Sequence, residues 1–232
     1  MICNDKEIVD NVWQINNINL SYNDNIIFKN FSISLHINKI NIILGSSGCG
    51  KTSLLNIIAK QIESPSFVYQ EPRLLNHLNA YENINYILKD KIKNKNIRDK
   101  TIKEALTITN LIDNIHSKPN ELSGGMKQRL SLARALAYNS DFLLMDEPLQ
   151  GQDIKRKKEL LDIIKNIQIK TNKTIIYVTH DISEALILGD YIYILSKNNN
   201  PTNLIFQTKL ESNDLNNNID MQSKLMDILI NN

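Results

Sequence analysis

The chain has 232 residues, enough to bury a substantial core as one domain or as one domain carrying a subdomain. Lys and Arg total 27 against 25 Asp and Glu, and the resulting charge of +2 argues neither for nor against a nucleic-acid partner. No run approaches the roughly 18 apolar residues of a membrane span, and the acidic start with Asp5, Glu7 and Asp10 has no secretory apolar region, so a soluble, cytoplasmic protein is expected. Two cysteines, Cys3 and Cys49, cannot make a disulfide framework. The abundant Asn residues interrupt an intact apolar periodicity and form no repeats; Asn198–Asn200 and Asn216–Asn218 are expected loops.

In chain order, Phe31, Ile33, Leu35 and Ile37 alternate with Ser32, Ser34 and His36, the period of a strand with one wet face. Continuous apolar runs follow at 40–44, 142–145, 175–178 and 191–195, interleaved with helical patterns, as parallel strands buried on both faces require. The fold class is therefore α/β. The first run leads into Gly45-Ser46-Ser47-Gly48-Cys49-Gly50-Lys51-Thr52 and a helix expected over 53–62. This is a phosphate-binding loop between strand and helix: glycines let successive N–H groups turn toward phosphate, Lys51 adds a cation and the Thr52 hydroxyl is placed to ligate Mg²⁺. Cys49, a thiol near a helix N-terminus, is a candidate for redox sensitivity. A short strand is expected at 67–69, and the patterns between Leu74 and Ala137 are mainly helical, with the basic stretch Lys89 to Lys100 forming a solvated face.

Leu122-Ser123-Gly124-Gly125-Met126-Lys127-Gln128-Arg129 precedes a further helical pattern. Ser123 can cap that helix, and the two glycines leave N–H groups bare as a second anion site. This run resembles the signature of the ABC ATPases, and the likeness extends over nearly the whole chain. It implies a P-loop NTPase, RecA-like and mainly parallel in its core sheet, with a helical subdomain inserted at about 74–137 between core segments of about 1–73 and 138–232. It also implies that ATP is bound by Tyr22, stacked on adenine, and by Gly45 to Ser53, with Ser47 and Gly48 inside the loop. Gln70 matches the glutamine that touches Mg²⁺ and the attacking water. Phe142-Leu143-Leu144-Met145-Asp146-Glu147 is similar to the Walker B strand, whose carboxylates emerge where an α/β sheet presents its site. By the same resemblance Asp146 holds Mg²⁺, Glu147 is the general base or the group that orients water for in-line attack, and His180 contacts the γ-phosphate. Ser123, Gly124, Gly125 and Met126 would act on the partner subunit's ATP in a head-to-tail dimer, and Asp153 matches the D-loop aspartate of the subunit seam.

Two departures stand out. The residues before Asp153, Leu149-Gln150-Gly151-Gln152, are larger and more polar than the family's small apolar segment. Lys51 and Gln70 are also only 19 residues apart, roughly half of what relatives use, so the antiparallel β-subdomain is expected to be reduced, with no added paired strands between 60 and 67. The run Gln70-Glu71-Pro72-Arg73-Leu74-Leu75 resembles the ATPases of the nitrate, sulfonate, taurine and thiamine-precursor importers. The implied partners are a second copy of the chain or another ABC ATPase subunit, transmembrane permease subunits and, for an importer, a solute-binding protein, with no nucleic acid expected; the chain itself would lie peripherally on the inner face of the cell membrane. Two alternatives stay open: a soluble ABC ATPase acting on ribosomes or DNA, and a non-hydrolysing ATP-binding subunit.

Overall fold

A computed structural model describes residues 7–23, 25–196, 201–210 and 215–231. Cys3, Asp5 and the expected loop Asn198–Asn200 lie outside the described residues. The chain divides into two compact units, residues 1–63 with 172–232, and residues 64–171.

In the first unit, β1 (Glu7–Val9), β2 (Val12–Tyr22) and β3 (Asn25–His36) form an antiparallel sheet. Its inward residues Trp13, Ile15, Ile33 and Leu35 are buried, which is the alternation read from 31–37. Register slips between Ile15 and Leu20, and the left-handed Asn17 and Asn30, break that alternation locally. A second sheet has the order β7 (Thr174–Thr179), β4 (Ile40–Gly45), β8 (Tyr191–Ser196) and β9 (Asn203–Lys209). The first three run parallel and β9 closes the edge antiparallel. Every residue of β4 and β7 is buried, because helices cover these strands. Those helices are α1 (Lys51–Gln61) and α6 (Ile182–Leu188).

The last helix, α7 (Leu215–Asn231), packs on α6, buries Leu225 fully and sets Lys224 over the Phe206 ring at 4.9 Å. Residues 221–230 thus rest on their own unit. The loop expected at Asn216–Asn218 is instead the first turn of α7. No Gly or Pro stops the helix there, and each Asn costs less than ~1 kcal/mol against Ala, which tertiary packing of the helix overrides.

In the second unit β5 (Ser66–Val68) pairs parallel with β6 (Phe142–Asp146), and between Gln61 and Ser66 there is no strand, as the short 51–70 segment requires. Three helices, α2 (Ala80–Leu88), α3 (Lys95–Ile108) and α4 (Gly124–Tyr138), enclose a core that includes Ile84, Leu88, Ile102, Leu106, Leu130 and Ala133. Asn79 starts α2 with a reciprocal capping box to Glu82. α5 (Ile154–Thr171) follows β6 after a turn. The basic stretch is a solvated face, with Lys89, Lys91, Lys93, Lys95 and Lys100 all exposed and Lys93 and Lys100 in exposed ion pairs; Arg98 is half-buried and donates to Asn85 and Ile92. Leu106 is fully buried at the centre of this core. Leu106→Ala is therefore expected to cost about 2–5 kcal/mol, read as a lower midpoint in urea unfolding.

Candidate functional site

The glycine-rich loop leaves β4 at Gly45. A Cβ at Gly45 would sit 2.7 Å from both Cys49 Sγ and the Leu195 carbonyl oxygen, so only glycine lets the loop fold back this closely. Cys49 N–H donates to the Ser46 carbonyl at 3.3 Å, and the Thr202 hydroxyl holds the Cys49 carbonyl at 2.9 Å. Gly50 then starts α1 at φ 97°, a left-handed conformation that strains any residue with a side chain. No side chain caps α1, so the orphan N–H groups of its first turn are not taken by a capping residue. Lys51 is 5 % exposed and donates to the carbonyls of Gly45 at 2.8 Å and Ser46 at 3.0 Å. The ammonium is thus held across the loop's mouth, while Ser46, Ser47 and Thr52 are exposed and Ser53 is half-buried. The Cys49 thiol is fully buried, which corrects the redox reading: an oxidant does not reach a side chain packed under the loop.

Two further residues belong to the same unit. Tyr22 ends β2 with 58 % of its surface exposed, an aromatic face not used in the core. His180 follows β7 and is exposed, whereas its surroundings are fixed from below. Glu184, buried in α6, accepts from the Tyr177 hydroxyl at 2.9 Å and the Thr179 hydroxyl at 2.8 Å, and Asp181 caps α6. Sequence reading passed over Glu184; a carboxylate in the first turn of a short helix after a buried strand was the available signal.

In the other unit, β6 delivers two carboxylates at its end. Asp146 is 8 % exposed, and Glu147 turns the chain at φ 41°, a left-handed conformation uncommon for a residue with a Cβ. The Glu147 carbonyl accepts from Gln150 N–H at 3.3 Å, and the Leu149 carbonyl from Gln152 N–H at 3.2 Å. Asp153 then caps α5 through Arg156 N–H at 3.0 Å and pairs with the Arg156 guanidinium at 3.2 Å. Ser123 caps α4 through Met126 N–H at 3.3 Å, as its sequence position implies, and nothing lies within 4 Å of where a Gly124 Cβ would be. Gly125, by contrast, faces Gln152 Oε1 and Arg156.

Gln70 lies just beyond β5, and its Nε2 donates to Gln150 Oε1. Several residues that the sequence reading did not single out secure this loop. The Tyr69 ring stacks on Phe67 and under the Arg73 guanidinium, 3.7 Å from the ring centre. Gln128 donates to the Tyr69 carbonyl at 3.2 Å, and Arg134 to the carbonyls of Pro72 at 2.9 Å and Arg73 at 2.8 Å. Burial lowers the Arg134 pKa from its usual value, while the nearby Tyr69 pulls the other way. Gln70, Gly124, Gly125, Gln150, Gln152 and Arg156 line one cavity of about 210 Å³.

Among the described residues no group of three or more His, Cys, Asp or Glu side chains could form a metal cage. Taken singly, the Thr52 hydroxyl, the Gln70 amide and the Asp146 carboxylate are each of a donor type that suits Mg²⁺.

An α/β fold whose parallel strands end in a glycine-rich loop and an uncapped helix defines a P-loop NTPase. A family model described as ABC transporter matches residues 28–66 and 63–150, and the chain belongs to that family. It is 35% identical over 211 residues to the spermidine/putrescine import ATP-binding protein PotA of Clostridium acetobutylicum, covering 81% of this chain and 59% of that protein. Against the PotA of Acetivibrio thermocellus the identity is 33% over 207 residues, 80% of this chain and 58% of the relative. The chain thus spans under two thirds of the length of these relatives. Among solved structures it resembles a dimeric, post-hydrolysis state of the ATP-binding cassette MJ0796 bound to ADP and Pi, with TM-score 0.72 and 26% identity over 87% of this chain and all of that one.

Proposed function

We propose that the chain is the ATP-binding and ATP-hydrolysing subunit of an ABC importer, acting on a separate membrane permease. The observation that carries this reading is the loop at 45–52, with Lys51 drawn across carbonyls at the start of a helix that no side chain caps. In this reading Gly45 to Ser53 bind the phosphates, Lys51 meets the β- and γ-phosphates, and Tyr22 stacks on adenine. Thr52, Gln70 and Asp146 would hold Mg²⁺, which supplies charge neutralisation at the phosphate oxygens. Glu147 orients and deprotonates the attacking water, and His180 contacts the γ-phosphate. Ser123, Gly124, Gly125 and Met126 close over the ATP of a second subunit, with Asp153 at the seam, so that ATP binding draws two subunits together and hydrolysis releases them. The domain division that goes with this is a nucleotide core at about 1–73 and 138–232 and a helical subdomain at about 74–137.

The importer direction draws support from the relatives, which are named import ATP-binding proteins. No helix among the described residues is long and apolar enough to cross a membrane. In this reading a separate permease supplies the pore, and the protein sits on the inner face of the membrane against it. Cargo choice belongs to that permease and to a solute-binding protein. The test is a pull-down of the tagged chain from its own detergent-solubilised membranes, paired with steady-state phosphate release by the purified protein. A co-purifying polytopic protein and ATP-dependent release of phosphate are expected. Soluble partners alone would overturn transport, and nucleotide binding without phosphate release would make this a non-hydrolysing subunit.

A further inference from the structure

We infer that Thr202 is a positioning residue for the phosphate loop: its hydroxyl pins the Cys49 carbonyl and thereby turns the Gly50 N–H the other way, to where a phosphate would lie. The inference rests on the reading of residues 45–52 as the phosphate site. Thr202 stands 153 residues from Cys49, outside that motif. A backbone carbonyl oxygen can only accept, so in the 2.9 Å contact between the two the hydroxyl donates, and that polarity has no alternative. Both residues are buried, Thr202 at 3 % exposed and Cys49 fully enclosed. Thr202 is itself held in place, since its own N–H donates to the Ile27 carbonyl in β3 at 2.8 Å.

The peptide between Cys49 and Gly50 needs such a hold. Glycine takes positive and negative φ alike, so this peptide plane could turn over with little steric penalty. A trans peptide is flat, with C=O and N–H pointing in opposite directions, and fixing one therefore fixes the other. With its carbonyl on Thr202, the peptide directs the Gly50 N–H away from Thr202. The space near Thr202 is already filled: Ile27 Cγ2, Phe28 Cζ and the Thr202 hydroxyl lie 3.0, 3.2 and 3.5 Å from where a Gly50 Cβ would be. On its other side Gly50 is fastened by its carbonyl, which accepts from Leu54 N–H at 2.8 Å, and it is thus held at φ 97°. Turned over, the same peptide would present a carbonyl oxygen to an arriving anion in place of an N–H. The two orientations are the difference between attracting and repelling phosphate.

Competition between inorganic tripolyphosphate and a fluorescent ATP on the full chain separates the phosphates from the base. Thr202→Val keeps the branched shape and removes the hydroxyl. It is expected to weaken both ligands by the same factor, about 10-fold, the scale of one buried hydrogen bond that selects a binding-competent state. In turnover KM should rise by that factor with kcat at the parent value, because the N–H serves ground state and transition state alike. Thr202→Ser, which restores the donor, should restore the parent affinity. A role confined to tethering β9 would lower Tm and leave tripolyphosphate affinity unchanged, and that result overturns the inference, as does a Thr202→Ser variant no better than Thr202→Val. In the parent itself the Gly50 amide should give one nuclear magnetic resonance signal free of μs–ms exchange. Two exchanging Gly50 signals would overturn the inference whether or not Thr202→Val folds. Parent-like tripolyphosphate affinity in Lys51→Ala would overturn the phosphate-site reading as well.

Discussion

Glu147→Gln should bind ATP as tightly as the parent, hydrolyse it ~10²–10⁴ times more slowly and accumulate as an ATP-bound dimer. Glu147 ends a fully buried run, Leu143 to Met145, so its backbone cannot drift, and it takes a left-handed turn at φ 41° fastened by Gln150 N–H. Gln has the same shape and the same backbone preferences, so the turn and everything hung on it survive. What disappears is the ability to accept a proton from water at the transition state. The effect therefore falls on kcat alone, which is the mark of an interaction absent from the ground state. Single-turnover phosphate release, together with size-exclusion chromatography in ATP, checks both halves. Hydrolysis at the parent rate would remove Glu147 from the role of base.

Lys51→Ala should act one step earlier, lowering ATP affinity by about 100-fold or more. Two charge-assisted hydrogen bonds at ~1.5–3 kcal/mol each set that scale. In the structure Nζ already bridges the carbonyls of Gly45 and Ser46, so the cation is aimed along the loop before nucleotide arrives. Alanine is the best helix former, so α1 keeps its first turn, and the loss reflects the missing charge and not an unfolded helix. Titration with a fluorescent nucleotide measures the affinity, and Tm checks that the fold stands. If the variant binds ATP as the parent does, the loop is not the phosphate site.

How far the sequence reaches depends on whether the signal is local. Strands 40–45, 142–146, 174–179 and 191–196 were legible because burial on both faces writes an unbroken apolar run. The loop at 45–52 was legible because its glycines, lysine and threonine have fixed spacing. β2 was not, because the bulges around Asn17 and between Ile15 and Leu20 put two steps out of phase and hide a period of two. The three asparagines at 216–218 were misread as a loop, since composition there opposes a helix that packing onto α6 imposes. Contacts over long sequence separations were invisible: Arg134 on Pro72 and Arg73, or Glu184 under Thr179, have no motif. The unusual D-loop was noticed as a departure. Its contact with Gln70, 80 residues away, needed the fold.

The two hydrogen bonds from Arg134 have a mechanical consequence. α4 is a single unbroken rod that begins at Ser123 and carries Arg134 three turns later, about 16 Å along its axis at 1.5 Å per residue. At one end lie the serine and glycines of the signature; near the other, a guanidinium grips two consecutive carbonyls of the segment that follows Gln70. A push on residues 72–73 therefore does not dissipate in a soft loop. It is handed to a stiff shaft, and the far end of that shaft is where the signature glycines are displayed.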